Sequence, residues 1–167
     1  MYDRLTKSDL EKIEKEIDHR RLDLRPELIE AVKEARAQGD LSENFEYYAA
    51  KREKNQNESR IRYLERVLRT AKVIEDDTSP DDEVGINKRV EVYFPDDDET
   101  EEFKIVTTIR GDSLRNLISI DSPFGRALMH RKVGETVHVR TENGGYDVEI
   151  RSISAPEDDS QDAIRQF

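Results

Sequence analysis

The first 75 residues carry apolar side chains at the spacing of a helix. Apolar positions recur every three, four or seven residues over residues 10–35, and a second series follows over residues 47–71. Each series forms a narrow stripe with polar residues on the remaining faces, which is typical of the seam of a two-stranded coiled coil. The second series keeps its period if Lys54 and Asn57 occupy polar positions in that seam.

A turn of only a few residues separates the two predicted helices. Gly39 suits the position after a helix C-terminus, and Asp40 or Ser42 suits the N-cap of the next helix. Helices joined by so short a turn must run antiparallel. Pro26 removes one helical hydrogen bond and is expected to kink the first helix.

The period changes to two from Lys88 onwards. Residues 89–94 alternate between polar and apolar side chains, and further strands are predicted over residues 103–110, 116–120, 136–141 and 146–153. A short helix is predicted to begin at Ser122-Pro123 and to end at Met129. The pattern is that of a small antiparallel sheet with one helix packed against it.

These patterns predict an α+β protein with four regions. Residues 1–75 form an N-terminal antiparallel α-helical coiled-coil hairpin, and residues 76–87 form an acidic linker. Residues 88–153 form the small antiparallel β-sheet domain with one helix. Residues 154–167 are polar and acidic, so we expect a flexible tail.

Composition and charge exclude several classes of protein. The 167 residues include 39 acidic and 28 basic side chains, which gives a net charge of −11. No apolar run approaches the roughly 18–20 residues of a membrane span, and the N-terminus lacks the apolar stretch of a signal peptide. We therefore expect a cytoplasmic protein without a membrane partner. The whole charge excess lies after residue 75, which argues against non-specific binding of duplex DNA.

The chain has no Cys and only three scattered His, so it cannot build a thiolate or imidazole metal cluster. Oxygen ligands remain possible at the turn between the helices. Asp40 and Glu43 are three residues apart at a helix start, so both carboxylates can face one ion. Such hard ligands suit Mg²⁺ or Mn²⁺, although two are too few to hold the ion alone. Equally, both acids could simply cap the helix and favour its dipole.

Basic and aromatic residues surround these acids. Arg36 precedes the turn and Lys51 follows it, so they could hold a phosphate backbone or merely form a solvated helix face. Tyr47 and Tyr48 could stack on bases, but at least one of them is expected to pack at the tip. The residues alone leave these alternatives open.

At this turn the sequence resembles a known family. The string Ala-Arg-Ala-Gln-Gly-Asp-Leu-Ser-Glu-Asn over residues 35–44, followed by Glu46-Tyr47 and Ala49-Ala50-Lys51, is similar to the tip signature of the Gre transcription elongation factors, GreA type. The resemblance covers about residues 5–153. It continues through Arg25-Pro26-Glu27, Asn116-Leu117-Ile118-Ser119, Ser122-Pro123, Arg126-Ala127-Leu128 and Asn143-Gly144-Gly145.

The resemblance implies a fold and a mechanism. Residues 88–153 would be FKBP-like, similar to FK506-binding proteins, and would dock at the rim of the secondary channel of bacterial RNA polymerase. The coiled coil would enter that channel, where Asp40 and Glu43 would help to coordinate a second Mg²⁺ shared with the polymerase active centre. The polymerase would then cleave its own backtracked RNA, so this monomeric chain would be a cofactor and not an enzyme.

The resemblance also implies roles for the neighbours of these acids. Arg36 and Lys51 would contact the nascent RNA 3′ end or the active centre, and Gly39, Asn44 and Tyr47 would support the tip. Two other functions remain as alternatives: a Gre-like regulator that inhibits polymerase from the same channel, and a coiled-coil scaffold without a metal. The intact acidic string over residues 39–44 favours cleavage over both.

Overall fold

The computed structural model describes residues 3–39, 44–75 and 79–166. The chain divides into two compact units. Residues Leu10–Ala71 form the first, which we call the hairpin unit. The described residues of Asp3–Asp9 and Lys72–Phe167 form the second, which we call the globular unit. The globular unit thus includes a segment that precedes the hairpin, whereas the sequence pattern assigned residues 1–75 to the hairpin alone.

Two long helical segments form the hairpin unit. The outgoing segment consists of α1 (Lys7–Asp18), a π-helical stretch (His19–Leu24) and α2 (Arg25–Ala37), and α3 (Phe45–Thr70) returns antiparallel to it. Among the described residues, no helix is long and apolar enough to cross a membrane.

The irregularity expected at Pro26 takes the form of the π-helical stretch. Pro26 has no N–H to donate to the carbonyl four residues earlier, so the α-helical pattern cannot continue through it. Instead, the Arg25 N–H donates to the Arg20 carbonyl, five residues back, and Pro26 lies in the first turn of α2.

The seam of the hairpin unit is apolar at one end and polar in its middle. Its apolar part contains the buried residues Ile13, Ile17, Ile61, Leu64 and Val67.

Asn57 then occupies the seam with only 4% of its surface exposed, which confirms the predicted polar position. Its Oδ1 accepts from Arg20 Nη1 at 3.0 Å, and its Nδ2 donates to the Arg20 carbonyl at 3.1 Å. Glu16 accepts from Arg60 Nε and Nη2 at 3.2 and 3.3 Å, so the partly polar seam is hydrogen-bonded across the two helices.

The globular unit contains a five-stranded sheet, whose strands are β3 (Arg89–Phe94), β4 (Glu99–Val106), β5 (Leu117–Ser119), β6 (Thr136–Val139) and β7 (Tyr146–Ile153). Their order across the sheet is β5-β4-β3-β7-β6.

This sheet is mixed rather than purely antiparallel. Strand β5 pairs parallel to β4, and the other neighbours pair antiparallel. The parallel pairing arises because residues 107–116 do not form a tight hairpin. They make two 3₁₀ turns, Thr108–Arg110 and Ser113–Arg115, and return the chain to the start of the neighbouring strand. The predicted α+β class is confirmed.

The core of the globular unit lies on one face of this sheet. Val90 and Val92 of β3 are fully buried, whereas the alternating residues Arg89 and Glu91 are partly exposed, as the pattern predicts. Helix α4 (Pro123–Leu128) packs Leu128 into the same core, and Ser122 caps this helix by accepting from the Gly125 N–H at 3.0 Å.

The N-terminal segment of the globular unit forms a second, two-stranded sheet. Strand β1 (Arg4–Leu5) pairs parallel to β2 (Lys72–Val73). Thr6 and Asp9 then cap α1 reciprocally: the Thr6 N–H donates to Asp9 Oδ2 at 3.0 Å, and the Asp9 N–H donates to Thr6 Oγ1 at 3.3 Å.

Where the sequence predicts a flexible tail, the structure places residues 154–166 along the globular unit, joined to it by hydrogen bonds. The Ser154 N–H donates to the Arg89 carbonyl at 2.9 Å, and the Arg165 N–H donates to the Ile109 carbonyl at 2.7 Å. Between them, Asp162 is only 5% exposed. The physical reason is electrostatic: the fold buries two cations, and the carboxylate of Asp162 pairs with both.

These cations are Lys104 and Arg110, and together with Asp9 and Asp162 they form what we call the buried ion cluster. Asp162 Oδ2 accepts from Lys104 Nζ at 2.8 Å and from Arg110 Nη1 at 3.1 Å. Arg110 Nε lies 2.7 Å from Asp9 Oδ1, and neither side chain is exposed. The cluster pairs two cations with two carboxylates, which is how a fold can hold charges away from water.

Candidate functional site

The candidate site is the turn between α2 and α3, at the end of the hairpin unit. The predicted metal ligands Asp40 and Glu43 lie outside the described residues, as does the rest of segment 40–43. Gly39 and Asn44 bound this segment on either side. The structure therefore defines where the chain leaves α2 and where it enters α3.

Gly39 stands directly after the C-cap of α2, as the sequence predicts. The C-cap residue is Gln38, whose N–H donates to the Ala35 carbonyl at 3.3 Å. Gly39 has a φ of +144° and nothing within 4 Å of the place where a Cβ would stand. Only glycine adopts this conformation without strain, so backbone freedom and not lack of space requires it here.

Asn44 is the N-cap of α3, which corrects the prediction of Asp40 or Ser42. Its Oδ1 accepts from the Tyr47 N–H at 3.0 Å, and its Nδ2 donates to the Ala35 carbonyl of α2. A carboxylate at this position could accept but not donate, so the amide is the group that connects both helices. Ala35 itself is buried, which allows the two helices to approach closely.

Arg36 and Tyr47 form a second contact across the same turn. The Arg36 guanidinium lies 5.6 Å from the centre of the Tyr47 ring, and its Nη2 lies 3.5 Å from the Tyr47 hydroxyl. The hydrogen bond from Arg36, helped by the charges of Lys51 and Lys54, lowers the pKa of the Tyr47 phenol. The structure thus places Arg36, predicted as a contact residue, against Tyr47, and Lys51, also predicted as a contact residue, follows Tyr47 by one turn on α3.

The described helix ends at this turn carry a small positive excess. In residues 33–39 and 44–54, five cations face three acids, although the whole chain carries a charge of −11. The cations are Lys33, Arg36, Lys51, Arg52 and Lys54, and the acids are Glu34, Glu46 and Glu53. Together with the acids at positions 40 and 43, the turn combines oxygen ligands for a cation with donors for phosphate.

One feature of the site was missed from the sequence. Phe45, the first residue of α3, is 85% exposed, and Tyr48 one turn later is 49% exposed. Tyr47, by contrast, is half-buried between the helices, which agrees with the expectation that one of the two tyrosines packs at the tip. The signal for the exposed pair was the spacing of three between Phe45 and Tyr48, which places both on one helix face.

Comparisons with known proteins identify the family of this sequence. The family model for the N-terminal domain of GreA/GreB transcription elongation factors matches residues 4–73, and the model for the C-terminal domain matches residues 79–155.

Transcription elongation factor GreA of Mesoplasma florum is 38% identical over 150 residues, which are 90% of this chain and 96% of the relative. GreA of Streptococcus pneumoniae is 40% identical over 149 residues, which are 89% of this chain and 93% of the relative. Among solved structures, GreA factor homolog 1 (Gfh1) of Thermus thermophilus is 25% identical, covers 93% of this chain and all of its own, and aligns with a TM-score of 0.42. The resemblance seen in the sequence is thereby confirmed, and the chain belongs to the GreA/GreB family of transcription elongation factors.

Proposed function

We propose that this chain inserts the end of its hairpin unit into the secondary channel of bacterial RNA polymerase and stimulates the polymerase to cleave backtracked RNA. The observation that carries the proposal is the contact of Asn44 with both helices, which fixes the two ends of the acidic segment. Segment 40–43, which carries Asp40 and Glu43, therefore joins two helix ends that are held together.

The length of the hairpin unit suits a site that must be carried to a distant reaction centre. Helix α3 has 26 residues, which corresponds to about 39 Å at a rise of about 1.5 Å per residue. Its polar seam contacts hold the two helical segments together along this length. A narrow pair of helices can enter a channel that would exclude a globular domain.

The donor chemistry of the turn fits Mg²⁺. Asp40 and Glu43 offer hard carboxylate oxygens, and the start of α3 favours their ionised forms. Mg²⁺ takes six oxygen ligands, so the polymerase would supply those that the two carboxylates do not. Bound there, Mg²⁺ would stabilise the charge on the attacking and leaving oxygens of RNA hydrolysis. The chain itself would be a cofactor of the polymerase, since cleavage would take place in the polymerase active centre.

The cations of the turn would act on the RNA. Arg36 lies on α2 and Lys51 on α3, so together they can contact successive phosphates of an RNA 3′ segment. Gly39 and Asn44 have no direct role in this proposal, but they set the path of the turn that presents both acids.

The test is cleavage of end-labelled RNA in a stalled, backtracked complex with bacterial RNA polymerase. The Asp40→Asn, Glu43→Gln double variant keeps the size of both side chains and removes their charge. We expect it to lower the rate of cleavage by about 100-fold or more, as the loss of preorganised electrostatic stabilisation does elsewhere. Glu27→Gln, at an exposed acid of α2 away from the turn, is the matched control and should cleave at the native rate.

Two results would contradict the proposal. Native rates from the double variant would show that the acids take no part in cleavage. Slower nucleotide addition without fragment release by the native protein would instead identify an inhibitor that occupies the same channel.

A further inference from the structure

We propose that Phe45, Tyr48 and Arg52 form a stacking row, which holds the bases of an unpaired RNA 3′ segment; this inference rests on the proposed function. The three residues lie in the first two turns of α3, at spacings of three and four. On a helix this spacing places them on one face, about 4.5 and 6 Å apart along the axis. These distances are comparable with the separation of successive bases in a single strand.

The stacking row is exposed where a helix of this kind normally presents polar groups. Phe45 is 85% exposed and Tyr48 is 49% exposed, and Arg52 is exposed as well. Single exposed apolar residues are common and need no explanation. Two aromatic rings on one helix face beside a predicted RNA contact are a different case, because the π-face of every base can stack on them.

The row is held in place by the contacts already described at the turn. The Tyr48 ring packs edge-on against Tyr47, with ring centres 5.5 Å apart and planes at 65°. Tyr47 in turn lies against the guanidinium of Arg36. Asn44 fixes the first turn of α3, which carries Phe45. A base that stacks here therefore contacts side chains that are already held in place. Binding then costs little side-chain conformational entropy.

The charge of this face identifies single-stranded nucleic acid as the occupant. Arg52 belongs to the row and Lys51 is exposed on one flank of it, about 100° around α3, and neither forms an ion pair with a carboxylate of the described residues. They are thus available to the phosphates that connect the stacked bases. Glu46 and Glu53 project from the opposite flank of the row by helical geometry. Arg52 can also stack on a base through its planar guanidinium.

This arrangement predicts a preference for length and not for sequence. The row offers stacking surfaces but no donor or acceptor set that would distinguish one base from another. RNA that is unpaired by one nucleotide can fill one ring at most, whereas RNA unpaired by two or more nucleotides can fill both. The contribution of the row should therefore increase with the length of the unpaired 3′ segment.

The experiment places 2-aminopurine at the 3′-terminal nucleotide of a backtracked complex and records its fluorescence in the absence of Mg²⁺. Stacking lowers this fluorescence, and no cleavage is needed for the reading. We expect the native protein to lower it and the Phe45→Ala, Tyr48→Ala double variant to require at least about tenfold more protein for the same effect, because both aromatic stacking surfaces are lost.

Three further variants make the reading specific. The Phe45→Leu, Tyr48→Leu variant keeps the apolar area without π-faces and should behave as the alanine variant does. The Phe45→Tyr, Tyr48→Phe variant keeps both rings and should retain the native effect. Leu22→Ala, at a 72% exposed position of the hairpin unit distant from the turn, is the control and should also retain it.

The outcomes separate this inference from the proposed function. Cleavage at the native rate with unchanged fluorescence response in the alanine and leucine variants would overturn the stacking row and leave the proposed function intact. Loss of cleavage by the native protein, with its fluorescence response preserved, would overturn the proposed function alone. Absence of any response to the native protein would overturn the stacking row.

Discussion

The hairpin unit and the globular unit both place charged side chains in their interiors, but they do so to different degrees. In the hairpin unit, Arg60 and Glu16 keep 8% and 15% of their side-chain surfaces exposed. In the globular unit, Asp9 and Arg110 keep none. The charges of the hairpin unit therefore remain partly hydrated, whereas Asp9 and Arg110 of the buried ion cluster are stabilised by each other and by buried polar groups such as Thr107.

This difference corresponds to what each unit must hold. Polar groups in the seam of a coiled coil fix the alignment of its helices at some cost in stability. Asn57 and its two bonds to Arg20 do this in the hairpin unit, so the turn is presented at a defined position. The buried ion cluster instead attaches separate segments of the chain, since Asp9 precedes the hairpin and Asp162 lies in the tail.

The largest expected loss of stability comes from removing the central cation of the buried ion cluster. Arg110→Met would leave the carboxylates of Asp9 and Asp162 buried beside Lys104 alone. We expect the free energy of unfolding to fall by about 3–5 kcal/mol, the usual cost of breaking a buried pair. Arg89→Met, at a position 39% exposed, should cost less than about 1 kcal/mol. Urea denaturation measures the free energy of unfolding of both variants. Equal losses would contradict the claim that fully buried charges contribute more than partly exposed ones.

A smaller effect is expected from the tail. Asp162→Ala removes hydrogen bonds from two buried cations and should lower the free energy of unfolding of the globular unit by about 2–3 kcal/mol. Gln161→Ala, at the exposed neighbouring position, should leave it unchanged. Tryptic digestion gives a second reading, because release of the tail would free the backbone of Arg165, which is bonded to the Ile109 carbonyl, for cleavage. Identical urea midpoints and digestion rates for both variants would mean that the tail does not stabilise the fold.

The hairpin unit should show a pH dependence of moderate size. Burial alone would raise the pKa of Glu16, but hydrogen bonds from Arg60 and Arg20 outweigh burial and hold that pKa below its usual value. A lowered folded-state pKa stabilises the fold above the unfolded pKa, near 4.5, and this stabilisation is lost as the pH falls through the folded value.

Glu16→Gln should therefore flatten the decline in helical stability below about pH 4.5. The loss at neutral pH should be about 1 kcal/mol, as for a hydrogen bond to a charged group. Urea denaturation followed by circular dichroism at several pH values measures both effects. Glu14→Gln, at an exposed position of α1, is the control. A parallel decline in the native and Glu16→Gln proteins would exclude Glu16 as the responsible group.

Two glycine substitutions, with losses of stability as small as that of Glu16→Gln, separate stability from function. Gly39→Ala and Gly134→Ala both place a side chain at positive φ, +144° and +90°, with no atom within 4 Å to clash with it. Each should cost about 1 kcal/mol of strain. Only Gly39→Ala alters the path of the acidic turn, so only this variant should lower RNA cleavage. An equal loss of cleavage in both variants would mean that strain at the turn has no specific effect.

The sequence predicts the local features of the two units better than their long-range contacts. The helices, the polar seam position of Asn57 and the alternation of β3 follow from local periodicity, which the fold preserves. The N-cap at Asn44 could not be chosen over Asp40 and Ser42, because all three residue types cap helices well. Asn44 differs from the other two in its second hydrogen bond, to the carbonyl of Ala35 nine residues away. Helix periodicity carries no information about such a bond.

The tail shows the limit more clearly. Its acidic composition is typical of unfolded segments, but the partners of Asp162 lie 58 and 52 residues away at Lys104 and Arg110. One local signal was present: Ile105 and Val106 are consecutive apolar residues, as expected for a strand covered on both faces, and the structure buries both. The sequence did not show which segment contacts the Lys104 face.

The most direct test of the account is the Mg²⁺ dependence of RNA cleavage in backtracked complexes. If Asp40 and Glu43 complete the coordination of the ion, the native protein should reach half-maximal cleavage at a lower Mg²⁺ concentration than the Asp40→Asn, Glu43→Gln variant. The difference should be at least about tenfold, since even indirect metal partners have effects of that size. Excess Mg²⁺ should partly restore cleavage by the variant. The same midpoint for both proteins, with only a lower plateau for the variant, would contradict a role of these acids in holding the metal.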